Sequence, residues 1–503
     1  MTRVGKKPNI LIFMTDQEQA AVTEPDHPCR TPHLDRLAAG GVRFNRAYPP
    51  MAHCCPARAS LMTGLYPSQH GIYNNCMNDA AIRRSLNAGV ETFSEKLRDA
   101  GYELHFSGKW HVSATERPRD FGWNELYVGA APGTYMGIHR EQYRAGRERY
   151  EEELRRGRSR GELVRPGWGN KRMYGVTDTP YEQLKDYEIV RRGVSQLDRL
   201  RDSENPWCVY IGVTGPHDPF IIPKPYAEMY DPRDVPLPPN YADDLSDKPG
   251  VYRKMRRVFR QFSEEEVRES IAHYWGYCTM IDDMFGEVMD ALERNGQLED
   301  TMVIFLSDHG EHAGAHGLYC KGISMFEEGY RIPLVIQWPG ITGTPGSSCD
   351  EFVTLMDIAP TLLEAAGAER LARCAGRSLL PLIRGERPDD WRDSVFAQCN
   401  GVEVYYTSRM VRTQRYKFVY HATDIDELYD LEADPHEMRN LIDRPEMADV
   451  IRQMYGKMWE HAYESEDTIF NQYVTVATAE WGPGLFGDKS GRADAPDGGG
   501  VRI

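Results

Sequence analysis

The sequence contains no apolar run of the roughly 18 residues that a membrane-spanning helix needs, so no segment reads as one. Its opening, Met-Thr-Arg-Val-Gly-Lys-Lys-Pro, leads into an apolar stretch of only Ile10 to Met14. That is too short for a signal-peptide core, and no small-residue cleavage site follows, so a cytoplasmic protein is expected. Positive charge is in short supply. The 60 Lys and Arg face 76 Asp and Glu, a formal net charge of -16. This balance disfavours nucleic acid or an anionic membrane as partner, while leaving room for a local cationic pocket. Cys-x-x-Cys is absent, and the ten cysteines are scattered apart from the adjacent Cys54 and Cys55, which fits reduced, structural thiols. Internal repeats are absent as well. A chain of 503 residues, 41% hydrophobic and 27% charged, fits a soluble protein of two domains, or one large domain with an appendage.

What is present is a recurring design: a short apolar run that stops abruptly at polar residues. Residues 9–15 end at Asp16, residues 302–307 at Asp308-His309, and residues 102–107 at Gly108-Lys109-Trp110-His111. Residues 207–213 lead to Gly215-Pro216-His217-Asp218-Pro219, and residues 332–338 end at Pro339-Gly340. Continuous apolar runs suit strands buried on both faces. In open α/β sheets, ligands bind beyond the carboxyl ends of such strands, so these polar residues are expected to converge. Helices alternate with the runs. Thr31-Pro32 starts one that Gly40 stops, residues 92–100 form another, and residues 265–295 carry an aromatic-rich stripe at helical spacing. The alternation predicts an α/β fold with a doubly wound sheet.

Two polar stretches interrupt the pattern. Residues 140–171, dense in Arg and Glu, read as a solvated insertion, and residues 223–249, rich in Pro and Asp, as a surface loop. A boundary falls at residues 381–393. It divides the chain into residues 1–385, a small domain 386–466 with short strands at 395–398, 402–407, 410–413 and 416–420 and a helix, and a tail 467–503. Phe470, Tyr473, Trp481 and Phe486 in that tail predict an arm over a partner subunit in a homodimer or homotetramer.

Residues 54–64, Cys-Cys-Pro-Ala-Arg-Ala-Ser-Leu-Met-Thr-Gly, fit Cys-x-Pro-x-Arg followed by an apolar pair, Thr and Gly. This resembles the signature of the type I, formylglycine-dependent sulfatases of the alkaline-phosphatase-like superfamily. The resemblance implies that fold, with a smaller C-terminal α+β domain. It also implies that a formylglycine-generating maturation enzyme oxidises Cys54 to formylglycine. Cys55 lacks the required offsets, because Ala59 stands where its arginine would be.

The resemblance assigns further residues. Asp16, Gln17, Asp308 and His309, with one oxygen of the modified Cys54, become ligands of one divalent metal ion. Many sulfatases have Asp in place of Gln17 and Asn in place of His309. The departures point toward the phosphonate-hydrolysing relatives and make Mn²⁺ as plausible as Ca²⁺. Arg58, one helical turn after Cys54, holds the nucleophile. Lys109 and His111, in Gly-Lys-Trp-His, bind sulfate and take a proton. His217 meets the leaving-group oxygen, Lys321 is the second sulfate-binding lysine, and Asn78 is a further oxyanion contact. The implied activity is hydrolysis of small organic sulfate monoesters, aryl sulfates among them. The alternative is a phosphonate monoester or phosphodiester hydrolase of the same superfamily, and a third reading is a silent anion-binding protein. A zinc site of His309, His312 and His316 competes weakly, since Gly310, Gly314 and Gly317 disfavour the helix it needs.

Overall fold

A computed structural model describes residues 7–129, 148, 151–152, 155–165, 169–402 and 404–486. The main sheet is built from β1 (Asn9–Thr15), β2 (Val42–Phe44), β3 (Glu103–Gly108), β4 (Asn124–Val128), β5 (Trp207–Gly212), β6 (Thr301–Ser307), β7 (Leu334–Gln337) and β8 (Ser347–Cys349). Their order across the sheet is β8-β2-β7-β6-β1-β5-β3-β4. The five strands β6, β1, β5, β3 and β4 run parallel. Thr15 pairs with Ser307, Met14 with Gly212, and Gly108 with Gly212. The residues that follow β1, β6, β3 and β5 therefore leave the sheet along one edge.

The fifth apolar run departs from the expected pattern. β7 is antiparallel to both β6 and β2, so Pro339-Gly340 emerges at the opposite edge. An apolar run buried on both faces carries no direction signal, which is why the sequence could not show this.

Alternating side chains of β1 divide the core. Leu11 and Phe13 pack with α1 (Pro32–Gly40), and Ile10, Ile12 and Met14 with α2 (Cys54–Thr63). On the α1 side lie α3 (Lys185–Arg199) and α4 (Glu264–Arg294). α4 starts where Ser263 and Glu266 close a capping box: the Glu266 N–H donates to Ser263 Oγ (3.3 Å) and the Ser263 N–H to Glu266 Oε2 (3.1 Å). Helices on both faces make the sheet doubly wound, as expected.

A second, four-stranded antiparallel sheet follows: β9 (Ser394–Cys399), β10 (Ser408–Thr413), β11 (Tyr416–His421) and β12 (Glu427–Asp430). Among the described residues of 402–407 no strand is present. β12 lies in a segment not read as a strand. α5 (Ala448–Glu464) covers this sheet through Ile451, Met454, Tyr455 and Met458. Of the aromatics expected in a partner-facing arm, Phe470, Trp481 and Phe486 pack against this same cluster, while Tyr473 is 74% exposed. The apolar outer face of the small sheet takes them up first. The stretch 223–249 is likewise less superficial than expected, because Val235, Asn240, Asp243, Leu245 and Lys248 are buried.

The descending tail is pinned by a buried ion pair. Arg409 and Asp467 have side chains 1% and 0% exposed. Arg409 also donates to the carbonyls of Cys399 (3.0 Å) and Ser408 (2.8 Å) and to Asn400 Oδ1 (3.0 Å). Asp467→Ala leaves the guanidinium buried without its counter-charge and should destabilise the small domain by about 3 kcal/mol or more. A lowered chemical-denaturation midpoint measures it, and an unchanged midpoint refutes it.

Candidate active site

Along the carboxyl edge of the parallel strands lies a cavity of about 1360 Å³. Its walls include His53, Cys54, Asn75, Lys109, His111, Thr214, His217, Asp218, Tyr277 and Lys321. Cys54 is the first residue of α2, with His53 as the residue before the helix, so the local fold presents the Cys54 side chain at a helix start.

Arg58, one turn further along α2, is fully buried. Its Nε donates to Asp308 Oδ2 at 2.8 Å and its Nη2 to Asp16 Oδ2 at 3.0 Å. Nη1 reaches the Lys109 carbonyl (3.1 Å) and the Tyr210 hydroxyl (3.3 Å). Arg58 thus occupies one oxygen of each carboxylate. The other oxygens turn inward: Asp16 Oδ1 lies 3.7 Å from Cys54 Sγ and 3.8 Å from His309 Nε2, and Asp308 Oδ1 lies 3.5 Å from His309 Nε2. Cys54 Sγ is 3.3 Å from His309 Nε2. Because His309 Nδ1 faces the Gly310 carbonyl at 3.0 Å, it carries a proton, which leaves Nε2 as the ring nitrogen directed at the cluster.

These four residues offer donor atoms that all lie within 4.8 Å of one another, every one of them buried. Two carboxylate oxygens and an imidazole nitrogen fit a divalent cation. Burial and the adjacent Asp16 push the Asp308 carboxyl up, which a cation between the inner oxygens would reverse. Gln17 stands apart. Its side-chain oxygen accepts from Lys321, and its amide donates to Asp218 (3.1 Å) and to Glu311. Its backbone has φ 69° and that of His111 φ 52°, left-handed conformations that cluster at functional sites.

Lys109 donates to Asp16 Oδ2. Burial opposes its charge, but Asp16 and Cys54 hold it protonated. Burial, reinforced by Lys109, holds His111 down to about 4, so this imidazole is neutral near pH 7 and able to accept a proton. Burial alone would raise the Cys54 thiol; Lys109, Lys321 and His309 instead pull it well below its ordinary value. His217 directs Nδ1 to the Asp218 carbonyl (2.6 Å) and Nε2 to Lys321.

The structure therefore brings Asp16, Gln17, Cys54, Arg58, Lys109, His111, His217, Asp308, His309 and Lys321 together. Asn78 is buried but is not among the cavity-lining residues; Asn75, three residues earlier, is. The three-histidine zinc arrangement is not formed: His312 Nε2 pairs with Ser324 Oγ (2.7 Å) and His316 Nδ1 with Asp243 Oδ2 (2.7 Å). Sequence reasoning missed Lys171. The described part of the stretch 140–171 contributes one strand and the start of a second to a hairpin, Glu162–Arg165 with Gly169–Arg172, that brings Lys171 Nζ 2.8 Å from Asp218 at the cavity wall. It also missed the buried Glu311, which burial and Asp218 push up to about 7. Its place after Asp308-His309-Gly310 was the only available signal.

The sulfatase family profile matches residues 8–368, and the profile described as N-sulphoglucosamine sulphohydrolase, C-terminal, matches residues 314–464. The choline-sulfatase of Rhizobium meliloti (strain 1021) is 31% identical over 473 residues, covering 87% of this chain and 83% of that protein. The multifunctional alkaline phosphatase superfamily protein PehA of Trinickia caryophylli is 30% identical over 518 residues, covering 92% and 97%. Among solved structures, the phosphonate monoester hydrolase of Agrobacterium radiobacter superposes with a TM-score of 0.73 at 24% identity, covering 91% of this chain and 96% of that one. Fold and site together define a hydrolase of the alkaline-phosphatase-like class. Within it the chain belongs to the sulfatase family, as a sulfuric ester hydrolase. Members of this family generally use formylglycine and a divalent metal. Among the described residues, no helix is long and apolar enough to cross a membrane.

Proposed function

We propose that this protein hydrolyses small organic sulfate monoesters, aryl sulfates among them, with Cys54 matured to formylglycine by a formylglycine-generating enzyme. The supporting observation is that Lys109 and His111 stand in the same cavity as Cys54, with Lys109 on Asp16. Formylglycine would supply an aldehyde hydrate as nucleophile, and a divalent ion, Ca²⁺ or Mn²⁺, held by Asp16, Asp308, His309 and residue 54, with Gln17 beside them, would lower its pKa. Arg58 orients both carboxylates. Lys109 and Lys321 hold the sulfuryl oxygens and offset their charge. His111, neutral, accepts a proton from the side chain at position 54. His217, beside Lys321, meets the leaving-group oxygen. The catalytic unit is residues 1–385, with the small domain 386–466 and the tail 467–503 appended. The free cysteines suit a reducing, cytoplasmic setting, and a homodimer or homotetramer remains part of this reading.

The second reading is a phosphonate monoester hydrolase, favoured by Gln17 and His309 in place of the commoner Asp and Asn. Both substrates carry one negative charge, so charge alone does not separate them. Lys109→Ala and His111→Ala should each lower kcat/KM for p-nitrophenyl sulfate by about 10²-fold or more, the scale for losing an acid-base or electrostatic group. Phenylphosphonate ester hydrolysis should be a weaker side activity. A wild type that strongly prefers the phosphonate, with little loss in either variant, would select the second reading.

A further inference from the structure

Asp186 lies in the first turn of α3, behind the cavity wall rather than on it. It is 4% exposed, yet no Lys or Arg ion-pairs with it among the described residues. Its carboxylate instead collects four neutral donors. Oδ1 accepts from the Thr214 N–H at 2.6 Å and the Thr214 hydroxyl at 2.7 Å. Oδ2 accepts from the Gly215 N–H at 3.0 Å and the Tyr277 hydroxyl at 3.3 Å. Charged hydrogen bonds of this kind, made where water is excluded, are among the stronger ones a side chain can form.

The segment so held carries the leaving-group side of the site. Thr214, Tyr277, His217 and Asp218 all line the cavity. On its other flank, the Gly215 carbonyl accepts from the Asp16 N–H at 3.0 Å, and the Val213 N–H donates to the Met14 carbonyl at 3.0 Å. The loop is thus clamped between the carboxyl end of β1, with Asp16 just beyond it, and α3, which supplies Asp186. It is also pressed flat: a Cβ on Gly215 would meet the Tyr277 ring at 2.4 Å. His217 follows two residues later, its N–H directed to the Thr214 carbonyl at 3.3 Å.

We propose that Asp186 is a positioning residue that fixes the Thr214–Asp218 loop so that His217 meets the departing oxygen of the substrate. This rests on the role given to His217 above. A group that acts on the leaving oxygen matters most when the leaving alcohol is weakly acidic, and a displacement of about 1 Å is enough to forfeit much of its effect.

The test is a series of aryl sulfates whose phenols span a range of acidity, measured as kcat/KM for wild type, Asp186→Asn, Thr214→Val and His217→Ala, with thermal midpoints recorded in parallel. Asp186→Asn should lose about tenfold with the most acidic phenol and about 10²-fold or more with the least acidic, steepening the slope toward that of His217→Ala. Should Asp186→Asn fail to fold, Thr214→Val, which removes one of the four bonds, carries the comparison and should steepen the slope to a smaller extent. A uniform loss across the series beside a steepened His217→Ala would overturn the proposal alone. An unchanged slope in His217→Ala would overturn both the role of His217 and the proposal built on it.

Discussion

Cys54→Ala is expected to abolish turnover, a fall of at least about 10⁴-fold, whereas Cys55→Ala should retain most of it. The two residues are chemically identical and adjacent, so only their surroundings separate them. Cys54 lines the cavity, with its sulfur 3.3 Å from His309 Nε2 and 3.7 Å from Asp16 Oδ1. Cys55 is fully buried and does not line the cavity. Its sulfur faces Asn75 Oδ1 at 3.5 Å and His111 Nδ1 at 3.7 Å, and burial pushes its thiol well above the ordinary value. Peptide mass spectrometry of protein made beside a maturation enzyme should show the thiol replaced by aldehyde at Cys54 and retained at Cys55. Full activity with an unmodified Cys54 would refute the assignment.

Removing the divalent ion should be nearly as damaging. Asp308→Ala is expected to lower metal content from about one ion per chain toward zero and turnover by about 10³-fold or more. The physical case differs from a simple clash of carboxylates. Asp16 and Asp308 are buried together, but Arg58 neutralises the outer oxygen of each and Lys109 adds to Asp16. No Lys or Arg reaches the inner pair of oxygens among the described residues, and they converge with Nε2 of His309. Exhaustive chelation should give inactive wild type that Ca²⁺ or Mn²⁺ restores, the more effective ion identifying the metal. Asp308→Ala should not recover under the same treatment. A fully active sample without metal would sink this account.

Much of the site was legible because its signals are local. Cys54 and Arg58 lie four apart, one helical turn, and Pro56 between them fits the first turn of α2. Asp16, Asp308 and Lys109 were legible because each follows a continuous apolar run, and these three runs became parallel strands with a shared edge. Lys171 was not legible. It sits in an Arg- and Glu-dense stretch that resembles any solvated surface, and its contact with Asp218 spans 47 positions. The strand expected at 402–407 is not seen among the described residues; the edge of β9 is paired with β10 instead.

The sequence by itself determined the Cys54-Pro56-Arg58 motif, the family, the strand ends that carry the polar residues and the main helices, since these depend on spacing within a few residues. Only the tertiary structure decided which oxygen of each carboxylate Arg58 occupies and which faces inward. It alone decided that β7 reverses direction, that Asn75 rather than Asn78 reaches the wall, and that Asp186 clamps the loop bearing His217. Each of these is a contact between chain segments far apart in number. Side-chain type and periodicity report what a residue is able to do and which way it faces within its own element. They do not report which distant donor or acceptor the packing will set against it.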